Sequence, residues 1–530
     1  IETLRESFVI LRRNLFDLEM KKLFIPFLIF SLIACDRDKP EQGKAQITIE
    51  GINLSAPKTT GARTLAEVAW VHPLPQKFSV NFISQETGQA YPVEFDSDFN
   101  SGQSKFELPF GSYTYESSTG ETLISNTLPV QFGGNLIVNA SQIKTKLDAV
   151  SDFQLLTFQK TNISTSPKTI LPAPGTLGLA GDFYYIYTKS NVPATVELTM
   201  SNGKSFRWGW DAQAFTHRSF YFQKESGDPA PTLITDPNLD YQNQAVPLKS
   251  NLWPRNLNPF RLKSLAEGLK ETSGLQWIGD RLFSINDGGN LAEIQEIHPD
   301  TGLILRSIQV ANAQNVDWED LAASQDYLYI GDFGNNSGTR TNLRILRIPI
   351  SSLLTQTQVN AEVINFTYQD ESGASNPNLP YDCEAMVFSS GKLYLFTKGT
   401  TTNESRTFVL EPSPGNQVAQ RIGIFEGPGK LTGADLSPDG KSLVFIGYET
   451  AGFSSRAFVL VFPNPNLNAI PISSNPETFW LGSVSQTSQT EGIGIKSSEK
   501  IKISGEQISV SGLTLPPRLM EIDLKGILPN

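Results

Sequence analysis

Cysteine and histidine are nearly missing: two of the former and three of the latter occur in 530 residues. So few thiols exclude a disulfide scaffold, and so few ligands of either kind leave zinc chemistry without a coordination set. His72, His217 and His298 lie far apart in sequence, the last within a His-Pro-Asp-Thr-Gly turn, and there is no Gly-x-Ser-x-Gly elbow, which argues against a Ser-His-Asp hydrolase. Charge is scarce as well, at 18% of residues, and its balance of −11 leaves no concentrated basic surface for phosphates. Nucleic acid is therefore excluded as the main partner. No apolar run is long enough to cross a bilayer as a helix. What remains is 39% hydrophobic residues punctuated by 41 glycines and 33 prolines, the balance of a folded, strand-rich secreted protein.

The first methionine is Met20, and Met20-Lys21-Lys22 is followed by a mostly apolar stretch from Leu23 to Ile33 and then Ala34-Cys35. Two lysines before a short hydrophobic segment form the n- and h-regions of an export signal. Leu32-Ile33-Ala34-Cys35 resembles the bacterial lipoprotein signal, in which the cysteine is lipidated and becomes the mature N-terminus. The resemblance implies a protein anchored to the membrane of the cell envelope through Cys35. Residues 1–19 then precede the true start, 20–34 are signal, and 35–43 are a tether. Cys383, the other cysteine, has no disulfide partner and sits between Asp382 and Glu384, neighbours that suppress a thiolate. It reads as a small buried strand residue.

From Lys44 to about Ser250 the pattern is β throughout, as in Gln46-Ile-Thr-Ile-Glu50 and Ser219-Phe-Tyr-Phe222. Two β-sandwich-like units, 44–145 and 146–250, fit the length. Leu108-Pro-Phe-Gly-Ser-Tyr-Thr-Tyr115 resembles the closing hairpin of small extracellular sandwich domains. Asp96-Ser-Asp98-Phe-Asn100 with Glu107 follows an EF-hand calcium loop in four positions, but its glycine is displaced and strands flank it, so a polar turn is expected. Gly175-Thr-Leu-Gly178-Leu-Ala-Gly181 lacks both the spacing and the βαβ setting of a dinucleotide fingerprint.

The second half repeats itself. Five segments begin with a short polar or small pair before an apolar residue: Ser273-Gly274-Leu275, Glu319-Asp320-Leu321, Glu384-Ala385-Met386, Ala434-Asp435-Leu436 and Glu491-Gly492-Ile493. A second apolar strand enters seven residues later in four of them, at Leu282, Leu328, Leu393 and Leu443, and eight later at Ile501. The repeats are spaced 46, 65, 50 and 57 residues apart, the length of a four-stranded propeller blade. An all-β chain is expected, its sandwich-like N-terminal region followed by a β-propeller over 255–527 with five blades counted and room for a degenerate sixth. The last repeat is short of a strand, which the segment just before 273 would supply.

Glu271-Thr-Ser-Gly-Leu275, Asn286-Asp-Gly-Gly289, Val316-Asp-Trp-Glu-Asp-Leu-Ala322, Tyr329-Ile-Gly-Asp-Phe-Gly-Asn335 and Glu491-Gly-Ile493 resemble the motifs of uncharacterised secreted bacterial β-propeller lipoproteins, distantly similar to phytase-like (esterase-like) propellers. That likeness bears on fold. Because first-strand starts and second-strand ends share one face of a propeller, Glu319, Glu384, Asp435 and Glu491 are expected to converge with Asp287, Asp332, Lys398 and Glu506. Asp317 and Asp382 each precede a glutamate by two and share its side of the strand. The carboxylates Asp287, Asp317, Glu319, Asp332, Glu384 and Glu491, with Asn286 and Asn335 nearby, are an oxygen set suited to Ca²⁺. The same groups could instead accept backbone N–H bonds that fasten neighbouring blades. Trp318 reads as blade packing or as a stacking surface over the mouth. Two functions stay open: a binding module for a protein, glycan or small molecule, with a divalent cation at its mouth, and a metal-dependent phosphoester or ester hydrolase of phytase-like type.

Overall fold

The computed structural model describes residues 43–54, 67–100, 102, 104–117, 122–257, 259–369, 381–399, 403–450, 452–467, 476–510 and 512–528. The export signal and Cys35 lie outside the described residues. Among these, helix is confined to short turns such as Ile350–Thr355, and no helix is long and apolar enough to cross a membrane.

The C-terminal half is a propeller of five four-stranded antiparallel blades. Their inner strands are Thr272–Ile278, Trp318–Ala323, Cys383–Ser389, Lys430–Leu436 and Gln489–Ser497. Each inner strand lies against those of its two neighbours, the fifth against the first, so the ring is closed. Blade two, expected over 319–323, 327–331, 343–349 and 361–368, forms at Trp318–Ala323, Tyr327–Asp332, Arg344–Pro349 and Glu362–Tyr368. In the fifth blade the outer strand is Phe260–Ser264, paired antiparallel with Arg518–Asp523, which joins the two ends of the propeller as expected. One feature was not foreseen: the outer strands of blades two and three, Glu362–Tyr368 and Gly415–Glu426, pair in parallel and merge the two blades into one sheet.

Blades pack face to face, so a propeller strand has both faces covered and reads as a continuous apolar run rather than an alternating one. Ser442–Tyr448, buried at every position, is such a strand. The core is accordingly divided into five clusters, one between each pair of adjacent blades. The smallest is the closing seam between blades five and one, built on Leu269, Leu275, Leu282, Ile297 and Leu519.

The N-terminal half is stacked sheet. Lys44–Leu54 alternates buried and exposed residues, pairing with Lys105–Pro109 antiparallel and with Gln142–Val150 in parallel. The chain passes to the next unit between Val150 and Phe153. Phe153–Gln159 is buried along its whole length because its sheet has a core on each face: Leu155 and Tyr187 join the first, Leu156 and Ile186 the second. Segments also cross between the units, with Glu67–Ala69 pairing Leu233–Thr235 and Ile124–Ser125 pairing Phe183–Lys189. Lys105–Pro109 and Gly111–Glu116 do not close a hairpin on each other, contrary to expectation; they belong to one seven-stranded sheet, the first at its edge beside Lys44–Leu54 and the second between Lys77–Ser84 and Gln131–Val138, and the Tyr113 hydroxyl pins the corner between them by donating to the Pro109 carbonyl (2.8 Å).

The second unit docks on the fifth blade through ion pairs. Arg207 reaches Glu197, Glu499 and the buried Asp523, and Lys525 reaches back to Glu197 at 2.7 Å.

Candidate functional site

Every inner strand of the propeller carries a one-residue bulge near its start. The extra residues are Gly274, Glu319, Glu384, Thr432 and Glu491. A bulge re-aims a side chain out of the ladder, and here three of the five bulged residues are glutamates. The second strands return to the same face, ending at Asn286, Asp332, Thr397, Tyr448 and Glu506, with Asp287 and Lys398 one residue beyond the first and third. Thus Glu319, Glu384 and Glu491 face Asp287, Lys398, Tyr448 and Glu506 around the ring opening, and they act on one another electrostatically.

Asp435 does not belong to this group. The blade-four bulge falls at Thr432, so Thr432-Gly433-Ala434, and not Ala434-Asp435-Leu436, is the equivalent of Glu384-Ala385-Met386. Asp435 instead accepts N–H bonds from Leu436 (2.8 Å) and from Ile495 of the next blade (2.7 Å). Asp320 does the same on a larger scale. Fully buried, it accepts from Leu321 and Met386 at 2.8 Å and from Ala434 at 3.3 Å, tying blades two, three and four together. Blade fastening is therefore a task of Asp320 and Asp435.

Of the mouth carboxylates, Asp287, Asp317 and Glu319 bring one oxygen each to within 4.8 Å of one another. Glu319 is 3% exposed, and its Oε1 accepts no hydrogen bond from the described residues. Two glycines roof the three groups: a methyl at Gly334 would collide with Glu319 Oε1 and Asp317 Oδ2, and one at Gly288 with Asp317 Oδ1. A cradle of three convergent oxygens, one of them buried without a donor, fits a hard cation of Ca²⁺ type. Burial, then mutual repulsion, pushes the Asp317 carboxyl up to about 6 and holds Asp287 and Glu319 above the ordinary carboxylate range.

The other three candidates have partners. Asp332 is fully buried between Arg340 (2.9 Å) and Arg344 (2.8 Å), and its Oδ1 also takes the Asp317 N–H, so it positions Asp317 rather than offering a free oxygen. Glu384 is paired with the Lys398 ammonium at 2.9 Å. Glu491 accepts from the Gln489 amide at 2.7 Å, and the same amide also reaches Glu506, whose carboxyl is pushed up to about 7 by burial. Asp382 crosses from blade three to take the Asn335 N–H at 2.7 Å, while its Oδ2 accepts none from the described residues. Asn335 itself is turned to the Arg340 N–H, and the Asn286 amide holds the Gly268 carbonyl.

Tyr448 and Arg340 escaped the sequence reading. Tyr448 is a second-strand end hidden by the blade-four register, and Arg340 comes from a loop between strands. Trp318 is buried in the packing between blades one and two, and Cys383 is buried with its thiol pushed up by desolvation. None of the histidines approaches the mouth: His72 and His217 flank Asp236 in the N-terminal half, and His298 takes the Asp300 N–H in its turn. Asp96 and Asp98 accept N–H bonds from residues two further on, a turn between strands, and Gly175 and Gly178 lie in short strands.

No protein family and no curated protein matches the chain. Solved structures do. The PQQ-bound aldose sugar dehydrogenase from Streptomyces coelicolor is 12% identical over 49% of this chain and 96% of its own, with a TM-score of 0.28. A putative TolB from Agrobacterium tumefaciens is 13% identical over 48% of this chain and 78% of its own, with a TM-score of 0.27. The RRP9 WD40 repeats are 13% identical over 48% and 70%, with a TM-score of 0.24. At this similarity they bear on neither substrate nor reaction.

Proposed function

We propose that the propeller is a binding module whose mouth holds one divalent cation, Ca²⁺ by its donor set, on a protein carried at the cell envelope by a lipid anchor at Cys35. The observation that supports the cation is Glu319: a carboxylate buried with an unpartnered oxygen beside two further carboxylates is unfavourable unless it is protonated or meets a cation. Asp287 and Asp317 are only half-buried, so the cradle opens to solvent on one side. A cation held there would neutralise the mouth and offer a ligand oxygen atom a place to bind. Asp332, Arg340 and Arg344 fix Asp317 from behind. The anchor is supported by the order of Lys21-Lys22, apolar stretch and Ala34-Cys35.

Calcium is expected to raise the melting temperature and EDTA to lower it. At about 100-fold excess over Kd, a ligand of the folded state alone adds roughly 2.7 kcal/mol. Glu319→Gln should weaken that response and Asp96→Asn should not. If the protein binds no calcium by titration calorimetry and melts identically in calcium and EDTA, the reading fails. Calcium-dependent turnover of phosphoesters or esters would move it to the phytase-like hydrolase.

A further inference from the structure

The end of the propeller opposite the acidic mouth is hollow. There the five inner strands finish, at Ile278, Ala323, Ser389, Leu436 and Ser497, and residues of all five blades line a cavity of about 560 Å³. That volume lies in the range of small-ligand sites and far exceeds the space of one water. Its two charged lining residues are already engaged. Lys496 is 2.6 Å from Asp280 and lies over the Trp277 ring, and each Asp435 oxygen takes a backbone N–H. An ion of either sign therefore finds no free counter-charge among the described lining residues. Two aromatic rings and one amide remain. Trp277 and Phe388 are half-buried and each is steadied by a neighbouring blade: Trp277 Nε1 donates to the Gly494 carbonyl (3.3 Å), and Phe388 stacks on Tyr329 with 5.7 Å between ring centroids. Gln276 is 9% exposed, and its amide donates to the Trp277 carbonyl (3.2 Å), while its Oε1 accepts no hydrogen bond from the described residues.

We infer that this cavity is a second ligand site, separate from the acidic mouth, and that it takes a neutral saccharide. A sugar ring offers apolar C–H faces to aromatic side chains and hydroxyls that both donate and accept. It can therefore supply the donor that Gln276 Oε1 lacks and also meet the rim, where Gln325, Ser389 and Ser390 present amide and hydroxyl groups. A purely apolar ligand would leave the buried Gln276 acceptor unpaired, and a charged one would lose its water without gaining a counter-ion. The site shares no residue with the cation cradle, and neither reading needs the other.

The test titrates the full chain with glucose, galactose, N-acetylglucosamine, cellobiose, lactose and chitobiose, followed by saturation-transfer NMR and titration calorimetry. At least one should bind with a Kd of about 1 mM or tighter and shift the indole N–H signal of Trp277, assigned by its loss in Trp277→Phe. Gln276→Leu should weaken that sugar about tenfold, as expected when a ligand hydroxyl loses a buried acceptor. Gln325 is exposed at the rim, so Gln325→Trp should fold and block the cavity, and it decides the matter if Gln276→Leu does not fold. Glu319→Gln, which disables the cation cradle, should bind the same sugar with unchanged affinity. No binding by any of these sugars, or binding unchanged in either folded cavity variant, overturns the inference. A loss in Glu319→Gln as large as that in Gln276→Leu would place the sugar at the acidic mouth and overturn it too, as would binding of a blocked alanine peptide at this end where no sugar binds.

Discussion

Asp320 is the most consequential carboxylate for the ring. One side chain receives three buried N–H groups, from its own blade at Leu321, from blade three at Met386 and from blade four at Ala434. Asp320→Ala strands all three. A buried donor left without an acceptor costs about 1–3 kcal/mol, which gives roughly 3–9 kcal/mol for the set. Two effects offset this: the burial of the carboxyl, which pushes its protonation well above the ordinary range, is relieved, and water can enter the small space left behind. A net loss of about 3–5 kcal/mol is expected, or on the order of 10 °C in melting temperature for a domain of this size. Asp320→Asn keeps an acceptor oxygen and should cost about half as much. Guanidinium unfolding followed by tryptophan fluorescence measures the loss, and native-state hydrogen exchange locates it, since the Met386 and Ala434 amides should lose protection together although they lie on different blades. A loss under about 1 kcal/mol with both amides still protected would refute the fastening role.

Asp435, pushed up to about 7 by burial, binds its proton more tightly folded than unfolded; its contribution is therefore fully present below about pH 4 and lost as pH rises to 7. Stability should fall across that window, and more gently in Asp435→Asn; parallel pH profiles would contradict this. Arg207→Ala takes one cation from the buried Asp523, which keeps the Lys525 N–H and the charge of Lys500, and should destabilise the docking of the N-terminal half on the fifth blade by about 1–3 kcal/mol. Scanning calorimetry should then resolve two transitions, and a single unchanged one counts against the junction. Cys35→Ala should accumulate an unprocessed precursor, as should globomycin treatment; a variant still cleaved and membrane-attached disposes of the anchor.

The fold was readable because a propeller repeats one packing problem: each blade needs an apolar inner strand, a tight turn and a second apolar strand, and that unit recurs from Leu275 to Ile501. Ring closure followed from the strand missing at the end. Register was harder to read. The equal spacing of seven residues at blade four is a coincidence between a bulge and a loop. In blade three the turn after Ser389 holds two residues, while in blade four Ser437 is bonded to Ser442 around a Ser-Pro-Asp-Gly-Lys turn that holds four. Those two extra residues moved Ala434 out of line, put Asp435 into the mouth on paper and hid Tyr448, although the Pro-Asp-Gly turn signal was there to find.

The site was legible as a composition and not as an arrangement. Counting carboxylates at strand ends located the mouth, because residue type and strand position together decide which side chains can converge. It could not sort Asp287 and Asp317 from Asp332. That distinction depends on Arg340 and Arg344, which come from a loop and from the start of a third strand, where no repeat constrains them. Nor could spacing separate Glu319 from Asp320, adjacent residues with opposite tasks. The bulge at Glu319 lets both point inward from consecutive positions, one to the mouth and the other to three backbone amides. In an unbroken strand they would face opposite sides of the sheet. The bulge thus lets one short segment supply both a buried carboxylate of the mouth and the carboxylate that ties three blades together around it.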